Sequence, residues 1–138
     1  MFLNPLRWKQ RLQNLQKAQL RLMKACAQDS YNELELAGLI QTFEFSFELT
    51  WKTLKDLLEF EGYDAASPRS VIRTALEANH LSPNQCETLL EALGKRNFLT
   101  HTYDEENVLQ AQALILEEFE PVITAITQYL TEKSNNDE

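Results

Sequence analysis

Four polar side chains that could handle a phosphate lie close together in the segment GKRNFLTHTYDEEN, residues 94–107. They are Arg96, Asn97, His101 and Tyr103. A neutral histidine can take the proton from a ribose 2′-hydroxyl, and an arginine can hold a phosphate and stabilise the charge of the transition state. Asparagine could orient the ribose or the phosphate, and tyrosine could bind a phosphate, stack on a base or accept a modification. These residue types predict RNA cleavage that leaves a 2′,3′-cyclic phosphate, and DNA should be spared.

The same residues have a simpler interpretation, as a surface cation and a histidine that caps a helix C-terminus. Residues five apart on a straight helix differ by about 140°. Arg96 and His101 would therefore act together only if the helix ended or unwound near Thr100. Asn97 and His101, four apart, would share a face. Asp104 could begin a further helix, which would place all four side chains at a helix-to-helix corner.

The bulk composition is that of an ordinary globular protein, with 138 residues, 43% hydrophobic and 25% charged. We predict one domain over residues 1–130 and a polar, frayed tail over 131–138. Cys26 and Cys86 lack metal-ligand spacing and are expected to be buried thiols. The N-terminus shows no signal-peptide pattern, and no apolar run approaches the roughly 18 residues of a membrane span. We expect a cytoplasmic protein that needs no metal or other cofactor.

The charges are distributed unevenly along the chain. The net charge of −8 argues against a large non-specific nucleic-acid surface. All 21 acidic residues nevertheless lie at Asp29 or later. The first 28 residues contain no acid and six cations: Arg7, Lys9, Arg11, Lys17, Arg21 and Lys24. This basic stripe could be a solvated helix face, a surface for phosphates, or a surface for an acidic partner.

Every long segment has the periodicity of an amphipathic helix. In the first, one side of the helix carries the predicted core residues Trp8, Leu12, Leu15, Leu22 and Met23. The second should run from about residue 31 to 60 and end at Gly62, with phenylalanines on two faces. Further helices are expected over about 68–79 and 83–100, and from Asp104 onward. The pattern predicts an all-α, up-down antiparallel bundle of four to five helices, two of them long.

Local signals mark where these helices begin and bend. Ser67-Pro68 and Ser82-Pro83 are typical of an N-cap followed by proline at the first helical position. Pro121 should kink the last helix.

Polar groups outside the motif have structural interpretations. Glu48 should pair with Lys52 one turn later, or lie in an interface. Arg69 and Arg73 share a face that we expect to be solvated. His80 should cap a helix end.

The sequence also resembles a known family. The octet RNFLTHTY, with arginine, four residues, histidine, one residue and tyrosine, matches the motif of HEPN-domain proteins of the HEPN–MNT toxin–antitoxin type. Two further blocks, FEFSFELTWKTLKDLLEFEG and SPRSVIRTAL, resemble the branch also labelled nucleotidyltransferase substrate-binding proteins. The resemblance runs from about Gln41 to Glu106.

The resemblance implies a dimerising HEPN-like bundle in which two motif copies face each other across a composite cleft. It implies a metal-independent endoribonuclease toxin of a type VII-like pair, cleaving tRNA or mRNA. Arg96 and His101 would be catalytic and Asn97 would support them. A cognate MNT-type nucleotidyltransferase antitoxin would silence the toxin by transferring AMP to Tyr103, which would place a phosphate and a purine beside Arg96. Expected partners are thus further copies, in a homodimer or a higher homo-oligomer, this antitoxin and RNA, with no membrane. The alternative is a non-catalytic substrate-binding or regulatory subunit of a nucleotidyltransferase.

Overall fold

A computed structural model describes residues 5–136, which contain helices and no strand. The helices are α1 (Pro5–Ala25), α2 (Glu33–Phe60), α3 (Pro68–Glu77), α4 (Pro83–His101), α5 (Glu105–Leu114), a π-helical turn (Ile115–Phe119) and α6 (Glu120–Asn136). The predicted all-α class is confirmed. The start of the predicted domain, residues 1–4, and the last two residues of the predicted tail lie outside the described residues. Residues 131–136 of that tail continue α6.

Short-range hydrogen bonds at the predicted caps explain where the helices begin. The hydroxyl of Ser67 accepts from the backbone N–H of Ser70, and Ser82 does the same for Gln85, each with a proline as the next residue. Asp104 caps α5 in the same way, by accepting from the Asn107 N–H at 2.9 Å. Each such cap contributes about 1 kcal/mol by satisfying an orphan donor. The predictions at all three positions are confirmed.

The end of α2 is defined by Gly62, as its sequence position predicted. Gly62 has a φ of 96°, a left-handed conformation that glycine adopts without steric cost. Its N–H donates to the Glu59 carbonyl at 3.1 Å, and the Tyr63 N–H donates to the Leu58 carbonyl at 2.9 Å. This pair of bonds is a Schellman motif, which satisfies the last carbonyls of the helix.

The helical hydrogen bonding changes immediately before Pro121. The Glu120 N–H donates to the Ile115 carbonyl, five residues earlier, so the turn Ile115–Phe119 is π-helical. Proline has no N–H to donate to the residue four positions before it. The sequence predicts a kink at Pro121, and the structure has a π-helical turn that ends two residues before this proline.

One hydrophobic core joins all of the helices. Its largest fully buried side chains include Trp8 of α1, Phe43 and Phe47 of α2, and Phe119, whose ring stacks on Phe43 at 5.2 Å. Met23, predicted to join this core, is instead 43% exposed. It lies about 100° around α1 from the buried Leu22, which takes it out of the contact with α2 and α6.

The connections place the motif at one end of the bundle. Side-chain hydrogen bonds from Gln16 to Thr131 and from Gln19 to Thr124 show that α1 and α6 run antiparallel. α1 and α2 form an antiparallel pair that packs along most of its length. The C-termini of α1 and α4 and the N-termini of α2 and α5 consequently lie at the same end, called the motif end below.

Candidate functional site

The four motif residues lie around the corner between α4 and α5. α4 remains helical through His101, and its C-cap Thr102 has extended backbone angles, φ −137° and ψ 101°. Asp104 then caps α5. The predicted helix-to-helix corner is therefore present, with Tyr103 on the short segment between the helices.

Arg96 and His101 point in different directions within one chain. The helix ends at His101, one residue after Thr100, so the two residues keep their angular difference of about 140°. Nη2 of Arg96 lies 2.9 Å from Oε2 of Glu48, which draws the guanidinium towards α2. Asn97 and His101 share an exposed face of α4. A single copy therefore brings together Asn97 and His101, but it does not bring Arg96 to His101.

The two histidines of the chain have opposite environments. His80 is 7% exposed, and its ring nitrogens contact Tyr129 Oη at 2.7 Å and Glu61 Oε1 at 2.5 Å. The backbone N–H of His80 donates to the Ala75 carbonyl at 2.9 Å, so His80 does cap the end of α3 as expected. Its side chain has a different role, because Glu61 at the end of α2 and Tyr129 of α6 hold the ring. The imidazole of His101 is exposed and has no hydrogen-bond partner within residues 5–136. His101 is thus the histidine available to a ligand.

Tyr103 borders a groove at the motif end. Its side chain is 59% exposed. The groove has a volume of about 520 Å³ and lies between the N-termini of α2 and α5, lined by Tyr31, Asn32, Glu33, Leu36, Tyr103, Asp104, Glu105, Val108 and Leu109. Acidic side chains at a helix N-terminus are stabilised by the helix dipole. The lining of the groove combines apolar side chains with acidic ones.

Arg96 of α4 belongs to a small network of charged side chains whose other members lie on α2. Glu48 contacts both Arg96 and Lys52, the latter with Nζ 3.4 Å from Oε1, so the predicted Glu48–Lys52 pair is confirmed. Burial raises the pKa of Glu44, and the positive charge of Arg96 partly opposes that rise. Glu48 is the partner of Arg96 that the sequence did not reveal. The sequence indicated only that Glu48 would pair with Lys52 or lie in an interface.

Five of the six cations in the basic stripe of α1 divide into two parts. Nε of Arg11 lies 2.8 Å from Oδ2 of Asp56, and Nε of Arg7 lies 3.7 Å from the other oxygen. Asp56 is only 4% exposed, so these cations neutralise a buried carboxylate. Three further cations are exposed and have no ion-pair partner within residues 5–136: Lys17, Arg21 and Lys24. Only this second part remains free for a ligand.

Metal-binding groups, membrane-spanning helices and disulfides are further features that a functional site could use. No group of three or more His, Cys, Asp or Glu side chains between residues 5 and 136 is placed to hold a metal ion. Over the same residues, no helix is both apolar enough and long enough to cross a membrane. Both cysteines are free thiols, with Cys86 buried and Cys26 partly exposed.

The fold and the motif define an all-α bundle with a polar corner between two helices. The chain belongs to the nucleotidyltransferase substrate binding protein-like family, whose model matches residues 10–132. This finding confirms the family that the two longer sequence blocks indicated. A solved crystal structure of a protein from Thermus thermophilus is similar, with a TM-score of 0.72 and 28% sequence identity over 87% of this chain and 98% of that chain. No curated protein matches the sequence.

Proposed function

We propose that the protein is a metal-independent endoribonuclease of HEPN type, acting as the toxin of a toxin–antitoxin pair with a nucleotidyltransferase. Arg96 and His101 would be its catalytic residues and Asn97 a supporting one. The family description supports the association with a nucleotidyltransferase. The ribonuclease activity rests on the motif and on the geometry of its histidine.

The observation that carries the proposal is the position of His101. A general base must reach a substrate hydroxyl, so it must be accessible and must not be occupied by another partner. His101 meets both conditions at the end of α4, with Asn97 one turn earlier on the same face. His80, which is buried between Glu61 and Tyr129, meets neither.

The proposed reaction is transesterification within the RNA. His101 takes the proton of the 2′-hydroxyl, and O2′ attacks the adjacent phosphorus. The bond from phosphorus to O5′ breaks, the departing oxygen takes a proton from solvent, and a 2′,3′-cyclic phosphate remains. Arg96 would stabilise the charge on the phosphoryl oxygens.

A second copy offers a way to bring arginine and histidine together, since one chain separates them. The face of α4 that carries His101 also carries Gly94 and Phe98, and Phe98 is 44% exposed. Apart from its two chain neighbours and the backbone of its own helix, no heavy atom of residues 5–136 lies within 4 Å of the position where a Cβ would stand on Gly94. An open glycine beside an exposed aromatic ring suits close approach of another helix. We propose a homodimer across this face.

Silencing would act at Tyr103. Its hydroxyl would attack the α-phosphorus of ATP held by the nucleotidyltransferase, and pyrophosphate would leave. The 59% exposure of Tyr103 makes it accessible to an enzyme. The added nucleotide would stand two residues from His101 and obstruct the approach of RNA.

The test is RNA cleavage by protein whose mass shows that it is unmodified, with EDTA present and total tRNA and cellular RNA as substrates. Wild type should leave cyclic phosphate ends, and His101→Ala should not. Thr100→Ala is the matched control, because it changes an exposed side chain of the same helix turn whose hydroxyl donates only to the Arg96 carbonyl. Equal cleavage by wild type and His101→Ala would overturn the proposal.

The second candidate is a non-catalytic subunit that presents substrate to a nucleotidyltransferase. The ion pair of Arg96 with Glu48 favours it, since it gives the arginine a role in joining α4 to α2. The family description favours it as well. No cleavage by wild type, together with binding to the nucleotidyltransferase, would support this candidate.

A further inference from the structure

A second surface of the molecule, between α1 and α2, has features of an unfilled helix-packing site. A groove of about 340 Å³ runs between α1 and α2. It is lined by Ala18, Arg21, Gly38, Gln41, Thr42 and Phe45. These residues, with the neighbouring cations Lys17 and Lys24, are called the α1–α2 face below.

Gly38 is the first of these features. A glycine inside a helix costs about 1 kcal/mol relative to alanine. Apart from its two chain neighbours and the backbone of its own helix, no heavy atom of residues 5–136 lies within 4 Å of where its Cβ would stand, and its backbone does not adopt a positive φ. Neither internal packing nor backbone conformation therefore calls for glycine here. Close approach of a helix from another molecule would explain it.

The exposed apolar groups are the second feature. Phe45, which lines the groove, is 56% exposed, although Phe43 and Phe47 on the same helix are buried. Leu34, one turn before Gly38 on the same side of α2, is 82% exposed. Large apolar side chains grouped beside an open groove are typical of surfaces that pack against a partner.

The charge of the face is the third feature. Lys17, Arg21 and Lys24 follow one another at spacings of four and three residues, so they form a single row along α1. The described residues supply no acid for any of them. Arg7 and Arg11 of the same helix, by contrast, are neutralised by Asp56. The free row is therefore complementary to an acidic partner.

Protein fits this face better than RNA does. Three cations in one row would neutralise few phosphates, and the net charge of −8 opposes a polyanion. A phosphate backbone would also leave Phe45 and the groove over Gly38 without a complementary group. A helix that carries a bulky apolar side chain and acidic residues matches every part of the face.

We propose that the α1–α2 face docks an acidic amphipathic helix of the partner nucleotidyltransferase. This inference rests on the proposed function for the identity of the partner. An apolar side chain of that helix would enter the groove over Gly38 and contact Phe45, while its carboxylates would pair with Lys17, Arg21 and Lys24.

The experiment measures binding of the purified nucleotidyltransferase to the full chain by titration calorimetry. Two variants alter the face: Arg21→Glu/Lys24→Glu, and Gly38→Leu, which fills the groove without meeting any atom at its Cβ. Each should weaken binding at least tenfold, and circular dichroism should show that both remain helical. The matched control is Arg69→Glu/Arg73→Glu, the same charge change on two exposed residues of α3, which should bind as wild type does.

The outcomes separate the inference from the proposed function. Wild-type binding that both face variants retain would overturn the inference and leave the partner in place. No binding by wild type would overturn both. A loss of tRNA binding or of self-association in the face variants, without any loss of nucleotidyltransferase binding, would assign the face to RNA or to a second copy and would overturn the inference.

Discussion

Nη2 of Arg96 and Oε2 of Glu48 lie 2.9 Å apart and join α4 to α2. Both side chains are partly exposed, at 30% and 28%, although Oε2 of Glu48 is itself buried, and the pair should contribute about 1 kcal/mol to stability. The consequence for function is larger. A phosphate that binds Arg96 must compete with the Glu48 carboxylate for the same guanidinium.

This competition predicts opposite effects for two substitutions. Under the proposed function, Arg96→Ala should lower kcat for RNA cleavage by about 10²–10³-fold, the usual cost of removing one group that stabilises transition-state charge. Glu48→Gln should instead lower KM, because it releases the arginine. Steady-state rates on a fluorogenic RNA would measure both. Glu59→Gln is the control, since Glu59 pairs with Lys55 at 2.6 Å elsewhere on α2. A KM that falls equally in both glutamine variants would contradict the competition.

Arg11 should matter for folding rather than for binding. Arg11→Met would leave the Asp56 carboxylate buried with only the more distant Arg7 nearby, and should destabilise the protein by about 3 kcal/mol. Lys17→Met, on the same helix but exposed, should change stability by less than about 0.5 kcal/mol. Urea unfolding of the two variants would measure the difference. Equal losses of stability in the two variants would show that pairing with Asp56 does not make Arg11 more important for folding than Lys17.

The features that were predictable from the sequence are those set by nearby residues. Ser67, Ser82 and Asp104 act on backbone groups three residues away, and Gly62 acts on its own turn, so each could be located from local pattern. The motif corner followed from the same signals. Local pattern therefore positioned Tyr103 between two helices before any packing was known.

The features that were missed depend on packing between distant segments. Glu48 meets Arg96, and Asp56 meets Arg11, only once α2 is placed against α4 and α1. His80 is buried because the end of α2 and the middle of α6 converge on it. Periodicity along one helix cannot identify such partners, because it contains no information about which helices become neighbours.

Gly94 should be replaceable without harm to the fold. A Cβ there would meet no atom within 4 Å, so Gly94→Ala should stabilise the chain by about 1 kcal/mol through helix propensity. Urea unfolding at low protein concentration would measure this gain. If the proposed dimer brings helices together at this point, sedimentation should show weaker association in Gly94→Leu. A destabilised Gly94→Ala would mean that the open space above α4 is not available.

Glu91 should make stability depend on pH. Partial loss of solvent around the exposed Glu91 raises its pKa, and the nearby carboxylate of Glu118 raises it further. Because the folded state then holds the proton more tightly than the unfolded state does, this group favours folding below its ordinary pKa and loses that contribution as pH rises through the raised value. Glu91→Gln should therefore be more stable than wild type at pH 7, by less than about 1 kcal/mol since the side chain is exposed.

The advantage of Glu91→Gln should disappear on acidification to about pH 4, where the glutamate is itself largely protonated. Thermal unfolding across this pH range would measure it. Glu87→Gln, one turn earlier on α4, reports the general effect of removing one negative charge. An equal gain in both variants at every pH would rule out a specific contribution from the Glu91–Glu118 contact.

The two histidines should give opposite results when each is replaced by alanine. His80→Ala removes a buried ring and leaves Glu61 and Tyr129 without their shared partner, so it should cost about 2–3 kcal/mol of unfolding free energy. His101→Ala removes an exposed side chain and should cost less than about 0.5 kcal/mol. Under the proposed function, RNA cleavage should be lost in His101→Ala and retained by the folded fraction of His80→Ala. Measuring unfolding and cleavage on the same samples tests stability and catalysis separately. A His101→Ala protein that unfolds as easily as His80→Ala would show that His101 is structural, and its lost cleavage would then say nothing about catalysis.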